Sequence, residues 1–190
     1  LSVSTRHAGK QSSDKVLVGT VQEAIDRGAK GVSVQVNMGS PTEADMIERL
    51  GIISSDTNYL DVPLLGMIYP RGENLSIMDG DVTEGAAHAA RLAFELGCQV
   101  VKTKWTGSIE SFRKVTNSVP IPVLIAGGPA GSSTEDILQI VYDSMQAGGG
   151  GVCMGRQVFS HENPEAMVSA LKMIVHNGSE VSEAMKKCGL

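Results

Sequence analysis

The stretch Val32-Ser-Val-Gln-Val-Asn37 alternates strictly between apolar and polar residues. Successive side chains of a strand point to opposite faces, so the valines share one face and the polar residues share the other. A doubly wound sheet is covered by helices on both faces, and its strands are therefore apolar throughout. A closed β/α barrel has helices only on its outside, and its interior can become polar at the end where active sites form. The alternation therefore favours a barrel.

The same kind of strand recurs along the chain, and amphipathic helical patterns separate the strands. Strand signals are found at residues 1–4, 32–37, 63–69, 99–105, 121–126 and 151–154. Helical patterns are found at residues 20–27, 83–96, 109–116, 134–147, 164–176 and 180–187, and one more runs from residue 42 to beyond residue 53. Because helices rather than hairpin turns join the strands, parallel pairing with right-handed crossovers is expected.

The number of these units sets the expected architecture. A full barrel has eight βα units and about 250 residues, whereas this chain has 190 residues and six units. The predicted fold is therefore α/β, a (β/α)8 TIM barrel of which six units are visible and the first two are missing. Residues 1–190 are predicted to form one barrel domain that is N-terminally incomplete, with six parallel strands in sequential order.

Composition excludes several other classes of protein. Hydrophobic residues make up 42% of the chain and charged residues 19%, a globular balance that excludes disorder and fibrous structure. The net charge is −5 and there is no basic stripe, so a nucleic-acid partner is not expected. No apolar run is long enough to span a bilayer, so no membrane partner is expected. The three cysteines form no CxxC motif, which favours a reducing cytoplasm over a disulfide framework or a zinc site.

Two lysines at the end of one strand are the most informative candidates for chemistry, because active sites of β/α barrels lie at the C-terminal strand ends. Lys102 follows Gln99-Val-Val, and Lys104 lies two residues further on, on the same face. Two ammonium groups in one pocket depress each other's pKa, and Schiff-base chemistry with a ketone requires a neutral amine. Alternatively, Lys102 is an edge-strand lysine that reaches solvent.

Tyr69 ends another strand and shares a face with Leu65 and Met67. A phenol near an iminium can move a proton to or from a substrate hydroxyl. The alternative is an ordinary half-buried tyrosine.

Glycines end the last two strands, as Gly127-Gly128 and Gly155-Arg156. Glycines leave backbone N–H groups open to an anion, and barrels frequently bind phosphate after strands seven and eight. Arg156 adds positive charge there. The alternative is that both segments are plain turns. The histidines have no metal-ligand spacing and are expected on the surface or in helix packing; they are His7, His88, His161 and His176.

Taken together, these segments resemble a known family. The resemblance is carried by MIYPRG (67–72), VVKTKWTG (100–107), PVLIAGGP (122–129) and GVCMGRQVFSHENPEAM (151–167). They are similar to the archaeal-type class I fructose-bisphosphate aldolase family, which includes 2-amino-3,7-dideoxy-D-threo-hept-6-ulosonate synthase. The resemblance implies a β/α-barrel enzyme of carbohydrate metabolism that uses a lysine Schiff base without metal or cofactor. It also implies a phosphorylated sugar or dihydroxyacetone phosphate-like substrate and a homo-oligomer.

The resemblance also implies roles for individual residues. Lys102 matches the Schiff-base lysine and Tyr69 the acid or base, with Lys104 expected to tune the lysine's pKa. The phosphate-binding positions of the family match Gly127, Gly128, Gly155 and Arg156.

Three departures from the family pattern leave the branch and the activity open. The Asp-His-Gly motif of the family's first strand has no match here, and Ala130 replaces the lysine that often follows Gly-Gly-Pro. The segments VNMGS (36–40) and SEVSEAMKK (179–187) look closer to the heptulosonate synthase branch, whereas Lys104 fits the fructose-bisphosphate aldolase branch. The leading hypothesis is an aldolase acting on a phosphorylated sugar; the alternatives are the synthase and an inactive barrel fragment.

Overall fold

The computed structural model describes residues 1–4, 13–72, 74–75, 82–127 and 132–190. Strands and helices alternate through most of the chain. In chain order the elements are β1 (Ser2–Ser4), β2 (Lys15–Leu17), α1 (Val21–Asp26), β3 (Val32–Met38), α2 (Glu43–Tyr59), β4 (Leu64–Pro70), α3 (Val82–Glu95), β5 (Val100–Thr103), α4 (Ile109–Thr116), β6 (Val123–Ala126), α5 (Thr134–Gln146), β7 (Gly151–Cys153), α6 (Arg156–Phe159), α7 (Pro164–Asn177) and α8 (Val181–Cys188).

The central sheet has five parallel strands in sequential order, from β3 to β7. Five of the six predicted strands are therefore confirmed in place and direction. The prediction of a sixth parallel strand at residues 1–4 is wrong in its pairing, because β1 forms an antiparallel ladder with β2. β1 nevertheless lies beside β3: the Leu1 amino group donates to the Ser33 carbonyl at 2.7 Å, and the Ser2 hydroxyl accepts from the Gln35 N–H at 3.0 Å. Within the described residues, β1 and β3 still belong to different sheets.

The predicted helices are confirmed to within a few residues, and local capping explains where they begin. Ser108 and Ser133 form capping boxes at the starts of α4 and α5. α7 starts with Pro164 at its first turn and ends at Gly178 in the left-handed conformation (φ 68°). Of the helices in the described ranges, none is both long and apolar enough to cross a membrane.

The two faces of the sheet differ in burial. One face, represented by Val34, Ile68 and Ile125, is at most 1% exposed and belongs to the core shared with the helices. The opposite face carries Gln35, Met67, Lys102 and Leu124 and is only half-buried. We call this second face the inner face, because a barrel places its helices outside and its half-polar side chains inside.

Gly66 shows how closely the helical layer approaches the buried face. A Cβ at this position would lie 2.8 Å from the Cys98 Sγ atom and 3.3 Å from the Ala93 side chain. Only glycine lets the end of α3 pack this tightly onto β4.

Candidate active site

Lys102 and Tyr69 lie on the inner face of adjacent strands. Lys102 is directly opposite Met67 in the β4–β5 register, and Tyr69 follows Met67 by two positions on the same face. Strand spacing and rise place the Cα atoms of Lys102 and Tyr69 about 8 Å apart. Both side chains are partly buried. Strand alternation therefore brings together the amine and the phenol that the sequence singled out.

The environment of Tyr69 keeps its phenol protonated at neutral pH. Burial raises the pKa of Tyr69 well above its usual value, and negative charge on Cys153 raises it further, while the Arg71 guanidinium opposes both effects. Cys153 ends β7, three strands away from β4 in the sheet order.

Arg71 is the centre of positive charge in this region. Its guanidinium carbon lies 5.6 Å from the centroid of the Tyr69 ring, and its backbone N–H donates to the Met38 carbonyl at 2.9 Å. Burial lowers the pKa of Lys104, and the Arg71 guanidinium lowers it further. The same two causes, in the same order, lower the pKa of Lys15, while Asp14 raises it.

Arg71 lies in the MIYPRG segment, and no role was predicted for it from the sequence. Its position immediately after Tyr69-Pro70, at the C-terminal end of a predicted barrel strand, was the signal available. Within the described residues, neither Arg71, Lys102 nor Lys104 forms an ion pair with a carboxylate. Lys102 and Lys104 are partly buried and Arg71 is exposed, and positive charge gathered at one end of a sheet favours the binding of an anion. The predicted influence of Lys104 on Lys102 stays a prediction.

The glycine strand ends lie side by side, because β6 and β7 are neighbours with Ala126 opposite Cys153. Gly127 directly follows β6, and a Cβ there would lie 2.2 Å from the Gln157 Oε1 atom. A larger residue at position 127 would therefore displace the end of the Gln157 side chain from this position. Gly155 precedes α6, and Arg156 is exposed at the first position of that helix. Gly128 lies outside the described residues.

A second contact joins the segments that follow β6 and β7. The His161 Nε2 atom lies 2.9 Å from the Thr134 hydroxyl at the start of α5. His161 was expected to be a surface or packing histidine, and its partner lies 27 positions away in the sequence. The periodicity of the sequence contains no signal for this pair.

One aromatic contact borders the site. Trp105, next to Lys104, packs against Phe112 of α4 with ring centroids 5.1 Å apart. Among the side chains that the structure describes, no group of three or more His, Cys, Asp or Glu is arranged to hold a metal ion.

This chain is similar in sequence to a family of aldolases and to two named synthases. The profile of the DeoC/LacD family aldolases matches residues 1–161. The chain is 41% identical over 183 residues to 2-amino-3,7-dideoxy-D-threo-hept-6-ulosonate synthase of Halobacterium salinarum, covering 96% of this chain and 67% of that protein. It is 38% identical over 189 residues to 2-amino-4,5-dihydroxy-6-oxo-7-(phosphonooxy)heptanoate synthase of Streptomyces griseus, covering 100% of this chain and 68% of that protein.

A solved structure of a Schiff base-forming fructose-1,6-bisphosphate aldolase superposes on this chain with a TM-score of 0.79 at 33% identity. The superposition covers 86% of this chain and 65% of that chain, so this chain spans about two thirds of the length of the proteins it matches. The structural neighbours are TIM-barrel aldolases, which confirms the predicted α/β fold class. The profile match over most of the chain, together with 41% identity to a curated relative, shows that this chain belongs to the DeoC/LacD family of aldolases.

Proposed function

We propose that this chain makes or cleaves a carbon–carbon bond in a phosphorylated ketose through an iminium at Lys102. The observation that carries the proposal is the placement of Lys102 on the half-buried inner face, one strand from Tyr69. The Schiff base named for a solved relative at 33% identity supports the same chemistry.

The covalent step begins at the lysine nitrogen. The neutral Lys102 amine attacks the ketone carbon and forms a carbinolamine. The Tyr69 phenol donates its proton to the carbinolamine oxygen, which leaves as water. The nitrogen lone pair then completes the C=N bond, and the product is a positively charged iminium together with a Tyr69 phenolate.

The carbon–carbon step uses the phenolate produced in the first step. The Tyr69 phenolate removes the proton from the hydroxyl two carbons from the iminium carbon, and that hydroxyl becomes the aldehyde of the departing fragment. The electrons of the broken bond move into the iminium and give a neutral enamine. A raised pKa makes the phenolate a strong base, and the Arg71 guanidinium, 5.6 Å from the ring centroid, stabilises its charge. The reverse sequence forms the bond.

The phosphate of the substrate is assigned to the ends of β6 and β7. Gly127 and Gly155 have no side chain of their own to cover their backbone N–H groups, and the exposed Arg156 supplies charge. The Gln157 side chain packs against Gly127, so it lies beside the proposed phosphate. Gly128 is part of the same proposal. A homo-oligomer and a cytoplasmic location also remain proposals for this chain.

A second candidate function is the formation of a seven-carbon amino ketose, as in the names of the two curated relatives. It is favoured by 41% and 38% identity to those synthases, against 33% identity to the fructose-bisphosphate aldolase structure. Both candidates use the same lysine chemistry. They differ in the aldehyde that joins the enamine.

Borohydride trapping tests the proposal directly. Wild-type protein is incubated with dihydroxyacetone phosphate and sodium borohydride, and the labelled peptide is identified by mass spectrometry. We expect the label on Lys102, and Lys102→Met should lose both label and activity. Lys104→Met should keep the label and require higher pH for trapping, because the charged neighbour is gone. A label on Lys104, no label on wild type, or loss of activity with a chelator would contradict the mechanism.

A further inference from the structure

We propose that His161 is a positioning residue that holds the chain after β7 against the chain after β6, at the separation that a bound phosphate needs. The inference rests on the proposed phosphate site. It concerns a hydrogen bond between His161 and Thr134 that spans the two segments at 2.9 Å.

The ring nitrogens of His161 have distinct roles. Nδ1 lies 3.0 Å from both the backbone N–H and the carbonyl oxygen of Asn163, and Nε2 lies 2.9 Å from the Thr134 hydroxyl. The Thr134 hydroxyl can donate or accept, so it can pair with Nε2 in either neutral tautomer. One imidazole thus connects two backbone segments.

Both partners of His161 stand at the beginning of a helix. Thr134 is the first residue of α5, directly after the cap residue Ser133. Asn163 caps α7, and its side chain accepts from the Ala166 N–H at 3.0 Å. The imidazole therefore fixes the start of α5 relative to the start of α7, beyond the last register pair of the β6–β7 ladder, Ala126 and Cys153.

A second contact makes the same connection closer to the strand ends. The Gln157 side chain lies against the Gly127 backbone, where a Cβ would be 2.2 Å from its Oε1 atom. Gln157 and His161 both lie just after β7, and each touches the segment after β6. Two contacts at different distances from the sheet resist both sliding and opening of the two strand ends.

This rigidity matters because backbone N–H groups from two separate segments must point to one anion. Hydrogen bonds weaken steeply as distance and angle depart from their optimum. Loss of the His161–Thr134 bond is expected to weaken anion binding by roughly 3- to 10-fold, the effect of one net hydrogen bond.

Matched variants separate the bond from the bulk of the side chain. His161→Gln places an amide N–H near the position of Nε2 and keeps the reach to Thr134. His161→Asn ends near the position of Nδ1, so it keeps a partner for Asn163 and loses Thr134. On the other side, Thr134→Ser keeps the hydroxyl and Thr134→Val removes it with little change in shape.

The measurement is the dissociation constant of inorganic phosphate, determined by isothermal titration calorimetry on the full chain. We expect it to rise roughly 3- to 10-fold for His161→Asn and Thr134→Val and to stay within about 2-fold for His161→Gln and Thr134→Ser. The double variant His161→Asn/Thr134→Val should be no weaker than either single variant, because both remove the same bond. Where turnover is measured, KM for the phosphorylated substrate should rise while kcat stays near that of wild type. Far-UV circular dichroism checks that each variant is folded.

Equal phosphate affinity in all folded variants overturns the inference, as do additive losses in the double variant or a wild type that binds no phosphate. A variant that fails to fold is replaced by its partner on the other side of the bond, since Thr134→Val and His161→Asn test the same contact. These outcomes are separate from the fate of the proposed reaction. If phosphate binding follows the expected pattern but borohydride traps nothing at Lys102, this inference stands and the proposed reaction is overturned. If borohydride traps substrate at Lys102 but all folded variants bind phosphate equally, the proposed reaction stands and this inference is overturned.

Discussion

Opposing electrostatic effects act on the pKa of the Tyr69 phenol, and together they determine whether it can donate and accept a proton. Burial and negative charge on Cys153 favour the neutral phenol, while the Arg71 guanidinium favours the phenolate. A phenol that is protonated at rest and has a cation near its ring can donate a proton and then hold the resulting charge. This is the property required of a single residue that serves both proton transfers of the proposed reaction.

Tyr69→Phe should retain the Schiff base and slow turnover. We expect borohydride trapping at Lys102 to persist and kcat to fall by roughly 10²–10⁴-fold, the usual effect of removing a positioned acid or base. Tyrosine ionisation changes the absorbance at 295 nm, and the contribution of Tyr69 is the difference between wild type and variant. We expect this contribution to appear above pH 10, the ordinary pKa of tyrosine. Ionisation of Tyr69 below pH 10, or unchanged turnover in the variant, would contradict the assigned role.

Among individual residues, the sequence predicted those whose position follows from the alternation of side chains between the two faces of a strand. Lys102 and Tyr69 were found because alternation within a strand assigns each side chain to a face. Arg71 and His161 were not assigned, because their importance depends on partners that only the folded chain brings near. Arg71 acts on Lys104, which directly follows the next strand, and His161 bonds to Thr134, 27 positions earlier.

The elements that were missed are short. Longer helices show a periodic apolar pattern, and capping serines mark the starts of α4 and α5. β2 has three residues and α6 has four, and neither shows a recognisable period. β7 also has three residues, and it was predicted because it continues the alternation of strands and helices along the chain. The missed β2 also explains the error at β1, since an unseen strand took the pairing that the sequence analysis assigned to the parallel sheet.

The capping box of α5 should make stability depend on pH in the acid range. The Ser133 hydroxyl and N–H donate to the Asp136 carboxylate at 2.7 and 3.1 Å and hold the pKa of that carboxyl below its usual value. A carboxyl with a lowered folded-state pKa stabilises the protein above its unfolded pKa, and this stabilisation disappears as pH falls through the folded value. Ser133→Ala should therefore reduce the free energy of unfolding more at pH 7 than at pH 3.

Urea denaturation at the two pH values measures this difference. An N-cap serine replaced by alanine typically costs about 1 kcal/mol at neutral pH. Ser182→Ala, at an exposed position within α8, serves as the control and should change stability little at either pH. An equal loss for Ser133→Ala at pH 3 and pH 7 would show that the carboxylate does not contribute through this bond.

The molecule as a whole depends on a core in which the aromatic ring of Phe112 is completely buried. Phe112→Ala should reduce the free energy of unfolding by about 3–5 kcal/mol, since the ring leaves a cavity that the close-packed surroundings cannot fill. Phe159→Ala removes the same atoms from a side chain that is 80% exposed and should change stability by less than about 0.5 kcal/mol. Circular dichroism during urea unfolding measures both, and equal losses would contradict the assigned core.

The fold class was predictable from the sequence because the two faces of the sheet differ in burial. In β4, β5 and β6, and in β3 as far as Val36, a buried position alternates with a partly exposed one, which a sheet covered on both faces would not show. The position of β1 was not predictable in the same way, because its bonds to β3 come from a serine hydroxyl and the chain's amino group. Single hydrogen bonds of this kind produce no periodic pattern of apolar and polar residues in the sequence.

Trp105 is the only tryptophan in the sequence; it follows Lys104 directly, is partly buried and packs against the Phe112 ring. Light absorbed at 295 nm will therefore excite one indole, whose emission depends on the charges and the water around it. Any ligand that neutralises or displaces the neighbouring ammonium group should change the colour and intensity of that emission. Rapid-mixing experiments on the unlabelled protein should accordingly resolve binding and covalent capture of a ketone as separate optical phases.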